Sequence, residues 1–196
     1  MLDKIKKGTG QAGDILGVES QGFVAWEITR CQLREGFDPE AAKTTHIAVI
    51  INSHGDLLEA HGGGIRLSNI RHYDKLGWKY HILRHNTANG EDIANMAMRL
   101  SHNENFLNKK YDFALIVGLF LISFGMPDSW LEKFNKDSKF ICSEFGITIF
   151  NKLKIITPKQ DKIYWPAEWI VWTREEYFTE IKQLKKIICS TYSTPV

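Results

Sequence analysis

The sequence predicts an α+β fold in which an antiparallel sheet packs against helices. Residues 45–51 are β-branched and apolar, and a second apolar stretch at residues 56–61 resumes after four residues, 52–55, that favour turns. Two such stretches joined by a short turn indicate a β-hairpin. In residues 141–153 the apolar side chains cluster on one side of a helix, which is the pattern of a helix that packs against a sheet.

Other segments add to this element order. Residues 79–84 predict a further strand, and residues 13–18 predict a short strand after a turn. Residues 23–26 continue that strand or precede another element. Residues 174–188 predict a charged amphipathic helix. A helix is also predicted from acidic residues that suit its N-terminal dipole, followed by apolar residues at helical spacing: Glu91, Asp92, Ile93, Met96, Ala97 and Leu100.

Length and composition predict one soluble domain over residues 1–196. The chain has 196 residues, of which 43% are hydrophobic, and this length suffices to bury roughly two-thirds of the unfolded surface in one core. No internal repeat or low-complexity linker marks a second domain. Charged residues are nearly balanced in sign, with a formal net charge of +2, so no strong field points to a nucleic acid partner.

The termini, cysteines and apolar runs give expectations about location. Residues 1–7 carry charge but lack the apolar stretch of a secretory signal. Three widely spaced cysteines without a CxxC pair fit neither a disulfide framework nor a thiolate zinc site, so we expect a cytoplasmic, reducing environment. The most apolar run, FALIVGLFLISF at residues 113–124, is shorter than the roughly 20 residues of a membrane-spanning helix. We expect it to be a core element, with contact with lipid as the alternative.

Cys142 is the candidate nucleophile. Cysteine attacks as a thiolate, and a helix N-terminus beside an imidazolium is an environment that lowers the pKa of a thiol. Cys142 lies where the helix of residues 141–153 would begin, so its backbone N–H would be available to a developing oxyanion. The alternative is a buried structural cysteine.

His46 is the candidate base because it interrupts an apolar strand, where an imidazole needs a polar partner. A four-residue loop at 52–55 would place Ala48 opposite Glu59 and His46 opposite His61, whereas a two-residue loop would place His46 directly opposite Glu59. Both registers put Glu59 and His61 on the face that carries His46. Without these neighbours, His46 would be read as a core histidine bonded to backbone.

Glu59 is the candidate third residue, and His61 is its alternative. A carboxylate bonded to one ring nitrogen of His46 would fix the tautomer that accepts a proton from Cys142 and would stabilise the imidazolium. A neutral His61 could orient the ring as well, though less strongly. The alternative role for Glu59 is an exposed strand residue.

The order of five short motifs resembles the circularly permuted papain-like hydrolases of the NlpC type, especially their YiiX-like branch. The resemblance implies a permuted papain-like fold, with His first, Glu on the neighbouring strand and Cys last, and therefore assigns these roles to His46, Glu59 and Cys142. The proline-containing segments at residues 157–158 and 165–168 are similar to those after the cysteine helix of the family. The motifs are Gly13-Asp14-Ile15, Thr45-His46-Ile47-Ala48-Val49, Leu58-Glu59-Ala60, Tyr111-Asp112-Phe113 and Ile141-Cys142-Ser143-Glu144-Phe145.

The chain departs from the family pattern in two places. His61 follows the Glu-Ala pair and competes for the third position, and Ile141 stands where an aromatic residue often precedes the cysteine. A related branch resembles lecithin retinol acyltransferase and uses a second histidine for acyl transfer, but its Asn-Cys-Glu-His stretch is absent.

The resemblance implies cysteine-dependent hydrolysis of peptide amide bonds, among them those of cell-wall stem peptides. The thiolate would attack the carbonyl, His46 would protonate the leaving group, and water would resolve the acyl-enzyme. Acyl transfer or thioester hydrolysis is the alternative chemistry, and a catalytically inactive binding module is the alternative outside enzymes. No cofactor is expected, and no metal either, because the seven histidines form no HExxH-like pattern.

Overall fold

The computed structural model of the chain describes residues 10–61, 64–103, 142–155 and 165–181. Within them, six strands form one antiparallel sheet with the order β4-β3-β2-β1-β5-β6. The structure is therefore α+β, as predicted. The strands are β1 (Ile15–Glu19), β2 (His46–Ile50), β3 (Asp56–His61), β4 (Gly64–Asn69), β5 (Lys79–His85) and β6 (Phe178–Glu180).

Helices connect and cover these strands. Among the described residues, a short 3-10 helix at Ala41–Lys43 precedes β2, and no helix is long and apolar enough to cross a membrane. The predicted helices that begin near residues 90 and 141 are confirmed as α3 and α4. The α-helices are α1 (Phe23–Arg34), α2 (Arg71–Leu76), α3 (Gly90–Ser101), α4 (Cys142–Lys152) and α5 (Pro166–Arg174).

The β2–β3 hairpin has the register of the four-residue loop. Ala48 pairs with Glu59 and Ile50 pairs with Leu57, and the Ile51 N–H donates to the Asp56 carbonyl at 2.9 Å to close the ladder before the turn. Oδ1 of Asn52 accepts hydrogen bonds from the backbone N–H groups of His54 and Asp56 and so stabilises the turn. If this register is continued by two residues, His46 lies opposite His61 and diagonal to Glu59.

Both faces of the sheet are buried. One face packs against α3, α4 and α5 through an apolar cluster that includes Val49, Leu58, Ile93 and Phe145. The other face packs against α2 through a smaller cluster that includes Ala48, Leu57 and Tyr73. Residues of β2 and β3 alternate between the two faces, as the period of a strand requires.

Two predicted elements differ in the structure. The predicted helix at 174–188 is wrong in its first half, because α5 already ends at Arg174 and residues 178–180 form β6 beside β5; residues 182–188 lie outside the described part. Residues 23–26, read as a strand extension or the approach to another element, form the first turn of α1. The apolar run at 113–124, the Tyr111-Asp112-Phe113 motif and the Thr157-Pro158 pair lie outside the described residues.

The Gly13-Asp14-Ile15 motif has a structural role. Gly13 has a positive φ of 85°, and a Cβ there would lie 2.1 Å from the Gly90 carbonyl oxygen, so only glycine fits this close approach. Asp14 is buried and accepts two 2.8 Å hydrogen bonds from Arg84. The Asp14 carbonyl accepts a hydrogen bond from the N–H of Ile50, the last residue of β2. The motif therefore lies at the C-terminal end of β2, whereas His46 is at its N-terminal end.

We predict that Gly146→Ala destabilises the fold. A Cβ at this position in α4 would lie 2.7 Å from Cζ2 of Trp169, whose indole is fully buried and cannot move aside freely. Overpacking of this kind costs about 1–3 kcal/mol, which exceeds the roughly 1 kcal/mol that alanine gains over glycine in a helix. Urea unfolding should show the loss, with the exposed Asn95→Ala of α3 as the matched control within about 0.5 kcal/mol of the parent. A Gly146→Ala protein as stable as the parent would contradict the packing described here.

Candidate active site

Cys142 is the first residue of α4. Its side chain is only 2% exposed and belongs to the apolar cluster that α4 forms with β2 and β3. The N-terminus of a helix is the positive end of its dipole, and this position favours the anionic form of a thiol.

His46 is the first residue of β2 and lies between Cys142 and Glu59. Its Nε2 is 2.6 Å from Oε2 of Glu59, and its ring is also hydrogen-bonded to the Cys142 side chain. Because Nε2 is occupied by the carboxylate, Nδ1 is the nitrogen left for the sulfur. Helices α4 and α2 cover opposite faces of the sheet. Because His46 lies at the end of β2, its ring can still contact Cys142 of α4.

The electrostatics of His46 favour the imidazolium. Burial by itself would lower the pKa of His46, but the negative charge of Cys142 and its hydrogen bond, together with the bond from Glu59, raise that pKa to about 10. The ring is therefore protonated at neutral pH when it faces a thiolate. The same attraction stabilises the thiolate, since an ion pair favours the charged forms of both partners.

Glu59 is fully buried and is held by donors from three elements. Its Oε2 accepts hydrogen bonds from His46 and from the Tyr73 hydroxyl of α2. Its Oε1 accepts a hydrogen bond from Nε of Arg66 and forms an ion pair with Nη2, each at 2.9 Å. Burial alone would raise the pKa of Glu59, but the hydrogen bonds and charge of His46, with the bond from Tyr73, lower it well below the ordinary range. The carboxylate is thus ionised at any pH near neutrality.

Tyr73 remains a donor in this arrangement. Burial and the adjacent charge of Glu59 raise the pKa of the Tyr73 phenol well above its ordinary value. Its hydroxyl keeps its proton and directs it at Glu59. This fixes the carboxylate from the α2 side while His46 binds it from the strand end.

His61 is close to these groups but does not hold His46. It is exposed at the last position of β3, and within the described residues no hydrogen bond joins it to the His46 ring. Burial, and next the charge of Arg66, lower the pKa of His61. Of the two candidates for the third position, Glu59 is therefore the one in contact with His46.

Arg66 and Tyr73 are absent from the set of residues predicted from the sequence. Arg66 pairs directly with Glu59 across the β3–β4 ladder, so a sequence prediction of a strand at residues 64–69 would have placed it on the same face. Tyr73 had no comparable signal, because it reaches Glu59 only through the packing of α2 against the sheet.

Comparisons with solved structures reveal a similar fold. No family model matches the chain, and no curated protein matches it. A solved structure described as metalloprotein YiiX from Escherichia coli O157:H7 is similar, with 14% sequence identity, a TM-score of 0.55, and coverage of 90% of this chain and 98% of that one. At this identity the likeness concerns the fold, which is YiiX-like.

We predict that Cys142 is alkylated selectively at low pH. Cys31 and Cys142 are both free and buried, with 8% and 2% exposure, so exposure alone would favour Cys31. Burial, followed by the charge of Glu27, raises the pKa of the Cys31 thiol, whereas an imidazolium faces Cys142. Iodoacetamide at pH 6, with the modified sites quantified by peptide mass spectrometry, should therefore label Cys142 at least tenfold faster. Equal labelling of Cys31 or Cys189 would reject the thiolate–imidazolium pair.

Proposed function

We propose that this chain is a cysteine-dependent hydrolase of amide bonds, with Cys142 as nucleophile, His46 as general acid and base, and Glu59 as the residue that orients His46. One observation carries the proposal: a single imidazole binds a buried carboxylate through one nitrogen and a helix-terminal thiol on its other side. A nucleophile, a base within hydrogen-bond reach and a group that orients the base form the arrangement of covalent catalysis. The proposal includes a single permuted papain-like domain over residues 1–196 and a cytoplasmic location, which suits the free thiols of Cys31 and Cys142.

The chemistry follows from these positions. The Cys142 thiolate attacks the carbonyl carbon, and the electron pair moves onto the carbonyl oxygen, whose negative charge develops close to the N-terminal end of the α4 dipole. The imidazolium of His46 gives its proton to the amide nitrogen, the C–N bond breaks, and an acyl thioester and a free amine result. Water then loses a proton to His46 and attacks the thioester, which releases a carboxylic acid and restores the thiol and imidazole.

Glu59 supports both proton transfers. Its negative charge stabilises the imidazolium before attack, and its hydrogen bond to Nε2 keeps Nδ1 directed at the sulfur. Arg66 and Tyr73 hold the carboxylate in place and keep it ionised. Because Glu59 touches neither the sulfur nor the substrate, it is a positioning residue.

The similar YiiX structure is described as a metalloprotein, so the geometry of the present site was compared with the needs of a metal ion. Within residues 10–61, 64–103, 142–155 and 165–181, no group of three or more His, Cys, Asp and Glu side chains is arranged to hold a metal ion. Both oxygens of Glu59 already accept hydrogen bonds from protein donors. The described site does not fit a metal centre, and the proposed reaction has no step through a metal.

We predict that Glu59→Gln impairs catalysis more than His61→Ala. The amide keeps the shape of the side chain but removes the charge that stabilises the imidazolium, so kcat should fall by roughly 10²-fold or more while KM changes little. His61→Ala should change kcat by less than about fivefold, because His61 does not hold the ring. Steady-state kinetics on a cleavable peptide amide, with Cys142→Ala as the inactive control, would measure both. A larger loss of kcat in His61→Ala would favour the acyltransferase-like arrangement.

We also predict hydrolysis of short peptides in preference to lipid or thioester substrates. Cys142, His46 and Glu59 provide what amide cleavage requires, namely a thiolate and an acid that protonates the leaving amine. The purified protein would be incubated separately with cell-wall stem peptides, a phospholipid and an acyl thioester, and products followed by mass spectrometry. Turnover that disappears in Cys142→Ala should occur with a peptide. Cys142-dependent turnover of the lipid or thioester alone would overturn the amidase specificity and leave the nucleophile in place.

A further inference from the structure

The β3–β4 hairpin places a cation beside the proposed catalytic residues. Glu59 pairs with Arg66, and His61 pairs with Gly64. Residues that pair directly lie on the same face of a sheet, and diagonal neighbours lie within reach of long side chains. Arg66 is therefore directly opposite Glu59 and diagonal to His61, at the end of the sheet where β2 presents His46.

Arg66 uses only part of its guanidinium to hold Glu59. Its Nε and Nη2 both contact the same oxygen, Oε1, and 41% of the side chain remains exposed. A guanidinium has five N–H donors in one plane. Within the described residues Glu59 is the hydrogen-bonding partner of Arg66, and Nη1 takes no part in this contact.

His61 lies close enough to Arg66 to be affected by its charge. After burial, the charge of Arg66 contributes most to lowering the pKa of His61, and His46 and His72 act in the same direction while Glu59 opposes them. His61 is therefore a neutral N–H donor at pH 7, and Arg66 is the permanent cation beside it. The one negative charge of Glu59 is shared between Arg66 and the imidazolium of His46.

Anchoring of Glu59 does not account for all of these properties. The carboxylate already accepts hydrogen bonds from His46 and Tyr73, and a neutral donor on β4 would complete its set. An arginine that is partly exposed, and that keeps a planar edge of donors free, suits bidentate binding of an external carboxylate or phosphate.

We propose that Arg66 and His61 form an anion-binding subsite, and that the substrate carries a carboxylate or phosphate group near the scissile bond. The inference rests on the proposed function, because it takes Cys142 as the group that attacks the substrate. It adds the substrate class: an anionic acyl compound, such as a peptide with a free carboxylate close to the cleaved amide.

Matched alkylating probes test this subsite without knowledge of the natural substrate. N-bromoacetylglycine carries a carboxylate one residue from its reactive carbon, N-bromoacetylglycinamide is its neutral counterpart, and N-bromoacetylethanolamine phosphate carries a phosphate. The rate of each probe at Cys142 would be divided by its rate with 2-mercaptoethanol, an otherwise uncharged thiol, which corrects for the intrinsic reactivity of the probe. The ratio of anionic to neutral probe then reports the preference of the site.

We expect Cys142 to prefer the anionic probes by roughly three- to tenfold, which is the order of effect expected from one ion pair that is partly exposed to water. Arg66→Gln should abolish the preference, Arg66→Lys should keep at least half of it, and His61→Gln should reduce it. Lys152→Gln is the matched control, since this exposed lysine ends α4 about 15 Å from Cys142 and should leave the preference unchanged. The corrected rates of the two anionic probes are then compared. A faster phosphate probe indicates a phosphate site, and a faster carboxylate probe indicates a carboxylate site.

The outcomes separate this inference from the proposed function. If the neutral probe labels Cys142 no faster than Cys31, the nucleophile assignment fails. If Cys142 is labelled selectively but shows no anionic preference, or if Arg66→Gln keeps the full preference, only the anion-binding subsite is rejected. Should Arg66→Gln not fold, the parent protein decides the question alone: its preference must fall in 1 M salt, where charges are screened beyond about 3 Å.

Discussion

The buried carboxylate of Glu59 is the constraint on which the site depends. An ionised group with no exposure to water is costly unless hydrogen bonds and opposite charges replace its hydration. Glu59 obtains them from β2, β4 and α2 through His46, Arg66 and Tyr73. Removing a partner from such a buried pair costs about 3–5 kcal/mol. The arrangement that orients His46 therefore also fixes how the β2–β3–β4 end of the sheet meets α2.

The two faces of the sheet contribute different parts of the site. Glu59 lies on the face that α2 covers, where its strand neighbour Leu57 packs, whereas Cys142 belongs to the cluster on the face that α4 covers. His46 joins them because it is the first residue of its strand and its ring lies where the sheet ends. A histidine in the middle of β2 would contact one face alone.

The sequence predicted those parts of the structure whose signals are local. The Asn-Ser-His-Gly turn and the alternation on both sides of it were enough to restrict the hairpin to two registers, and the structure has one of them. Helix α3 was predicted because acidic residues suit its N-terminal dipole and its apolar residues recur at helical spacing, and the structure adds the Asn89 cap. These features arise within a few residues of one another, so propensity and pattern describe them.

The predictions from the sequence failed where the buried residues are polar or where contacting residues are far apart in the sequence. Helix α1 buries Glu27 and Gln32 while Phe23 and Trp26 are exposed, so its apolar pattern points away from the core. In β6, Phe178 is buried whereas Thr179 and Glu180 are exposed, and so short a pattern suits a solvated helix equally well. Arg66 and Tyr73 reach Glu59 only after the sheet and α2 are assembled.

The order of the site residues along the chain has a consequence during synthesis. His46 and Glu59 belong to one hairpin, whose strands adjoin in sequence, whereas Cys142 is far downstream on α4. His46 and Glu59 are therefore synthesised well before Cys142. The Cys142 thiol has no imidazolium beside it until α4 has packed against the sheet. A chain that ends before α4 contains His46 and Glu59 but lacks the thiol that His46 contacts.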